Sequence, residues 1–199
     1  DGTVLHRHMG QGLVSDVFSN QKAFDSLIGD TAIGHVRYST TGNSDPKNVG
    51  PLTFNMGEYS LSIAHNGNLI NLDEIRKELQ ENGALFQTST DTEIIIHLLA
   101  REKGDTLADK LEQVLRKIEG AYSLILLSPN EIIAARDPHG IRPFCMGKLQ
   151  DTIVFASETC ALDLLGAEYV REVNPGELIV ANDDGFYSRK FIEPLEPKH

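Results

Sequence analysis

The apolar residues of this chain change period once, and the order of that change leaves few folds open. Leu72, Ile75 and Leu79 recur at helical spacing, as do Ile94, Ile95, Leu98 and Leu99, and then Leu107, Leu111, Val114, Leu115 and Ile118. These stripes predict helices over 72–80, 91–101 and 107–118. Asn71 and Gly83 bracket the first, the capping-box form Thr90-Asp91-Thr92-Glu93 opens the second, and Asp105 and Gly120 bracket the third. From Ala121 the pattern is that of strands, over 121–128, 131–136, 142–147 and 152–156, split by Ser128-Pro129-Asn130 and Asp137-Pro138-His139-Gly140. The run 121–127 is apolar nearly throughout, as suits a strand covered on both faces. A short helix over 158–165 and a hairpin, 177–181 with 186–191 turning at Asn182-Asp183-Asp184-Gly185, complete the series. Weaker alternation predicts three earlier strands over 3–8, 31–38 and 58–65. Strands, then helices, then antiparallel strands make an α+β chain in which two sheets are sandwiched between helical layers.

Composition narrows what such a fold does. Lys+Arg 18 against Asp+Glu 29 gives a net charge of -11, with no basic patch, so nucleic acid is excluded as a partner. No apolar run reaches the length of a membrane span and no signal peptide opens the chain, so a cytoplasmic protein is expected. Cys145 and Cys160 are expected to be free, Cys145 inert in an apolar strand and Cys160 a small buried thiol near a helix start. His6 and His8 share a strand face without a third ligand at metal-binding spacing, and no metal is expected. The chain begins within an expected strand and ends on the linker-like Glu193-Pro194-Leu195-Glu196-Pro197-Lys198-His199. A domain over 1–192 and a linker over 193–199, both cut from a longer chain, are the expectation.

Chemistry-bearing residues gather at three places, each with a plain alternative. Arg37, within His35-Val36-Arg37-Tyr38-Ser39-Thr40, has the rigid fork of donors that fits a carboxylate, or else pairs with a neighbouring Asp or Glu. Asn66-Gly67 offers an amide donor and an approachable backbone N–H that suit a developing oxyanion, or else makes a hairpin turn. Asp91, at a helix start, binds an ammonium group or simply caps the helix.

The order of these motifs resembles that of the class II glutamine amidotransferases, which have the N-terminal-nucleophile hydrolase fold. The segments that carry the resemblance are Gly34-His35-Val36-Arg37-Tyr38-Ser39-Thr40, Ala64-His65-Asn66-Gly67-Asn68-Leu69, Thr88-Ser89-Thr90-Asp91-Thr92-Glu93, Asp137-Pro138-His139-Gly140-Ile141-Arg142-Pro143 and Ala156-Ser157-Glu158-Thr159-Cys160-Ala161. Tyr38 and Thr40-Thr41-Gly42 favour the purine-pathway branch over glucosamine-6-phosphate synthase, which has Trp and Thr-His-Gly there.

The resemblance implies a four-layer α-β-β-α sandwich and hydrolysis of glutamine to glutamate and ammonia. By motif, Arg37 holds the glutamine α-carboxylate with Thr40 nearby, Asp91 takes the α-ammonium, and Asn66 with the Gly67 N–H forms the oxyanion hole. The family's nucleophile is an N-terminal cysteine that neither Cys145 nor Cys160 matches, so the 199-residue chain is expected to be inactive by itself. A phosphoribosyltransferase domain of the same polypeptide is the implied partner, in a homo-oligomeric parent. No cofactor is expected in this segment, whereas the parent binds Mg and, in some members, an iron-sulfur cluster. A non-catalytic glutamine-binding module is the alternative of a different class.

Overall fold

The computed structural model describes residues 4–37, 45–57 and 59–195. Its elements run α1 (Val14–Val17), α2 (Gln21–Asp25), β1 (Leu52–Asn55), β2 (Ser60–Leu69), α3 (Leu72–Glu81), α4 (Asp91–Leu99) and α5 (Leu107–Leu115). There follow β3 (Gly120–Leu127), β4 (Ile132–Arg136), β5 (Cys145–Leu149), β6 (Thr152–Ala156), α6 (Thr159–Leu165), β7 (Glu168–Glu172), β8 (Glu177–Asn182) and β9 (Gly185–Lys190). One sheet has the order β1-β2-β3-β4-β8-β9 and the other β6-β5-β7, and every pairing is antiparallel.

Alternation along the strands sorts side chains into four layers. On one face of the large sheet Leu61, Ile63, Leu124, Leu126, Ile133, Leu178 and Val180 meet Ile95, Leu99, Leu111, Val114 and Leu115 of α4 and α5. Each such fully buried aliphatic side chain contributes about 1.5–3 kcal/mol, so this cluster holds the helical layer in place. On the opposite face Ala134 and Ile179 pack against Phe144, Met146 and Val173 of the small-sheet side. Beyond the small sheet, Leu162 of α6 closes a third cluster with Cys145 and Ala167. The expected α-β-β-α sandwich is therefore present.

The predicted helices form with ends within a few residues of expectation, but several caps differ. Thr106, not Asp105, caps α5, in a reciprocal capping box with Asp109. Its oxygen is one residue nearer the first free N–H groups, which is what capping geometry demands. Thr90 makes no side-chain cap bond; Glu93 instead turns its carboxylate to the N–H groups of Gln87 and Thr88, at 2.8 and 2.6 Å. Asn71 forgoes capping to bridge Lys117 O and Glu119 N. Gly120 does not end α5 but begins β3.

The strands predicted over 3–8 and 31–38 do not form, since residues 4–8 and 31–37 carry no strand among the described residues. Alternation yields a strand only where a neighbouring edge takes up the backbone groups, and here β1 (Leu52–Asn55), not anticipated from sequence, pairs with β2. The strand β7 was likewise not anticipated: Glu168, Tyr169 and Val170 are all exposed, so it lacks an apolar signature.

Candidate functional site

Strand β2 is longer than its apolar pattern suggests, and the extension carries the candidate site. The pairing with β3 runs without a break from Ser62↔Leu127 to Leu69↔Gly120, so Asn66 and Gly67 lie inside a strand and not in a hairpin turn. The turn alternative is excluded. Gly67 is required there because its φ is +154° and a Cβ would stand 2.0 Å from Ala121 O.

The hydrogen-bond alternation of an antiparallel pair fixes which way each peptide points. Tyr122, opposite Gly67, turns its N–H to Asp137 Oδ2 and its carbonyl to Asp137 N, both away from β2. The Gly67 peptide therefore faces away from β3, at a stretch of β2 past the register of β1, which covers only Ser60 to Ile63. Asn66 projects to the other sheet face, exposed, and its side chain makes no hydrogen bond among the described residues. An amide donor and an outward backbone N–H thus stand side by side, and no hydrogen bond among the described residues takes up the amide.

Residues on either side of Gly67 bring in the remaining groups. His65, with a side chain only 2% exposed, places Nδ1 3.3 Å from Oδ1 of Asp91 at the start of α4. Asp91 Oδ1 also accepts the Thr92 N–H at 3.1 Å, and the Leu69 N–H lies near enough to favour the charged carboxylate. Held from both His65 and Leu69, it lies alongside Gly67. Burial pushes the Asp91 carboxyl up, yet the hydrogen bond from His65, with the N–H groups of Leu69 and Asp91 itself, holds it below the usual carboxylate range. Asp91 is therefore an ionised, partly exposed acceptor suited to a cation.

His35 connects the Arg37 segment to the same edge. Its ring is hydrogen bonded to the His65 backbone, and its Nδ1 fills the space where a Gly50 Cβ would stand, at 2.5 Å. Burial lowers the His35 pKa, more than the His65 backbone contact raises it. Two residues on, Arg37 is exposed in irregular chain, and no carboxylate among the described residues pairs with it. The ion-pair alternative does not hold among those residues. Thr40 lies outside the described residues.

Other sequence expectations fall away from the site. Cys145 is buried, and burial raises its thiol pKa. Cys160 is exposed, not buried as expected, because it sits on the solvent side of α6, with Sγ 3.5 Å from Glu158 Oε2. His8 is bonded to Val17 O in irregular chain rather than standing on a strand face. Among the described residues no three His, Cys, Asp or Glu side chains converge as metal ligands. His65 and His35 were missed as site-builders. The available signal was a polar residue in the apolar alternation Leu61, Ile63, His65 directly before Asn66-Gly67.

Known proteins show the same arrangement of sequence and fold. The chain is 47% identical over 196 residues to amidophosphoribosyltransferase 2 of Arabidopsis thaliana, covering 98% of this chain and 35% of that protein. It is 45% identical over 192 residues to the amidophosphoribosyltransferase of Bacillus subtilis, covering 96% and 40%. The solved B. subtilis glutamine phosphoribosylpyrophosphate amidotransferase, complexed with ADP and GMP, superposes with a TM-score of 0.91 at 44% identity, over 96% of this chain and 41% of that one. The chain thus spans about two fifths or less of these relatives. The model of the glutamine amidotransferase domain matches residues 35–164, from the histidine that anchors the Arg37 segment to the last turn of α6, and the chain belongs to that family.

Proposed function

We propose that this chain forms the glutamine site of the glutaminase half of an amidophosphoribosyltransferase, which hydrolyses glutamine to glutamate and ammonia for a phosphoribosyltransferase domain of the same polypeptide. The observation that carries the reading is the outer edge of β2, where the exposed Asn66 amide and the outward Gly67 N–H stand beside the anchored Asp91 carboxylate. Identity of 44–47% to the relatives above supports the choice of branch.

Each group has one part. Asp91 pairs with the α-ammonium of glutamine and the Arg37 fork with its α-carboxylate, with Thr40 beside it, which positions the side-chain amide near Asn66 and Gly67. A thiolate adds to the amide carbon, and the carbonyl oxygen takes the negative charge, stabilised by the Asn66 amide and the Gly67 N–H. The α-amine of the nucleophilic cysteine, which takes the thiol proton as the thiolate attacks, passes it to the amide nitrogen, so that collapse of the intermediate expels ammonia and leaves a thioester, which water hydrolyses to glutamate with return of the thiol. The thiol is the N-terminal cysteine implied by the family resemblance, since Cys145 is buried in β5 and Cys160 lies on α6, on elements remote in sequence from β2 and α4. The 199-residue polypeptide alone is accordingly inactive.

The test is glutamate and ammonia production from glutamine by the full-length protein and by the 199-residue polypeptide. Activity in the first and none in the second is expected. Ammonia release by the shorter chain, abolished in Cys160→Ala, would show that the nucleophile is misplaced. A full-length protein that neither binds nor hydrolyses glutamine would overturn the reading as a whole.

A further inference from the structure

Two buried ring nitrogens near the site have no hydrogen-bond partner among the described residues, His35 Nδ1 and His65 Nε2. The second belongs to a residue whose other nitrogen touches the carboxylate that the proposed function assigns to substrate. His65 is held on the core face of β2 by the ladder to β3, where it pairs with Leu124, and its side chain is almost wholly out of solvent. A buried polar ring in that position has to be explained by what it bonds.

Its tautomer follows from the two surroundings. Nδ1 faces a carboxylate oxygen, which only accepts, so Nδ1 carries a proton and donates. A proton on Nε2 would be a buried donor without an acceptor, whereas a bare Nε2 lone pair leaves the smaller loss. The ring therefore presents one N–H, aimed at Asp91. That N–H holds Oδ1 from one side of Gly67 while the Leu69 N–H approaches from the other. These two donors lie on β2, while the Thr92 N–H, 3.1 Å from the same Oδ1, lies on α4, so the strand that presents Asn66 and Gly67 shares with the helix in setting where the Asp91 carboxylate stands.

We infer that His65, as the Nδ1–H tautomer, is a positioning residue that fixes the Asp91 carboxylate for a ligand ammonium group and thereby selects α-amino acid amides over amides lacking the amine. The inference rests on the proposed glutaminase reading. His65 does not touch the reacting atoms, so its loss acts on substrate recognition and not on the chemical step. Without its donor, Asp91 retains its charge and the Thr92 N–H but loses the side-chain contact that ties it to β2, and the energy of one charge-assisted hydrogen bond is withdrawn from the bound state.

The experiment compares His65→Leu, His65→Asn and His65→Gln in the full-length protein, with glutamine as substrate, and with Asp91→Asn as background. The side-chain amide of Asn places its N–H near the position of the imidazole Nδ1, whereas that of Gln reaches the position of Nε2. His65→Leu should raise KM about 10- to 100-fold with kcat changed far less. His65→Asn should restore most of the loss and His65→Gln should not. In the Asp91→Asn background His65→Leu should add little further, because the two residues act through one contact. Thermal midpoints separate this from misfolding: a merely structural His65 would lower stability in all three variants and show additive effects with Asp91→Asn. Equal KM in His65→Leu and wild type, loss of kcat alone, or additivity would overturn the inference while leaving the glutaminase reading intact. If Asp91→Asn itself leaves glutamine KM unchanged, the reading of the Asp91 subsite fails first.

Discussion

Gly67 and Tyr122 face each other across β2 and β3 so closely that a Cβ on Gly67 would stand 2.8 Å from the Tyr122 Cα and 2.0 Å from the Ala121 carbonyl oxygen. Neither obstacle is a flexible side-chain tip. Gly67→Ala must therefore part the central strands of the large sheet, and a loss of several kcal/mol is expected, in the range of overpacked or strained positions. Gly185→Ala is the control, since its φ is +121° but no atom lies within 4 Å of its Cβ, so only the backbone cost of about 1 kcal/mol remains. Chemical denaturation of the two variants checks the difference. Equal losses would mean that close approach is not what requires Gly67.

Asn66 is exposed and its side chain makes no hydrogen bond among the described residues, so Asn66→Ala is expected to alter stability by less than about 0.5 kcal/mol. The oxyanion-hole role proposed for it predicts a fall in kcat of roughly 100- to 1000-fold, about 2.7 to 4 kcal/mol, with a far smaller change in KM. Asn66→Asp should be at least as harmful, because it replaces a donor with a negatively charged acceptor. A lower thermal midpoint with unchanged kcat would remove Asn66 from the reaction.

Arg37→Lys keeps the charge and removes the planar pair of donors. Since no carboxylate among the described residues pairs with Arg37, the variant should fold as the parent does and show a raised KM for glutamine. An unchanged KM would show that the α-carboxylate binds elsewhere.

Glu177 makes a two-pronged contact with Arg171 at 2.7 and 2.8 Å and accepts the Asn174 N–H at 2.7 Å, with a side chain 8% exposed. Burial pushes this carboxyl up, but Arg171 and Asn174 outweigh it and hold it below the usual range. A carboxyl lowered in the folded state contributes stability above its unfolded pKa, and that contribution is lost as pH falls through the folded value. Glu177→Gln should therefore cost about 2 kcal/mol at neutral pH. The gap should narrow as pH drops below the ordinary glutamate value of 4.5. Urea unfolding of both proteins over a pH series measures it; a gap independent of pH would show that the ion pair contributes nothing.

Most of the architecture was written in the periodicity of the sequence. The stripes Ile94, Ile95, Leu98, Leu99 and Leu107, Leu111, Val114, Leu115 can bury themselves only as helices on one side of a sheet, and the order of elements then leaves the sandwich. The motif residues Arg37, Asn66, Gly67 and Asp91 were also legible, because their chemistry resides in side-chain type. Sequence alone left Asn66-Gly67 divided between turn and strand, since the local preference of that dipeptide favours a turn. The tertiary structure decided it: β3 runs beside β2 as far as Gly120, and a full ladder outweighs a local turn preference. The same ladder turned the Gly67 N–H outward and set His65 against Asp91. Such contacts depend on strand register and on where a helix begins in space, quantities fixed by packing between segments distant in the chain, and no local pattern encodes them.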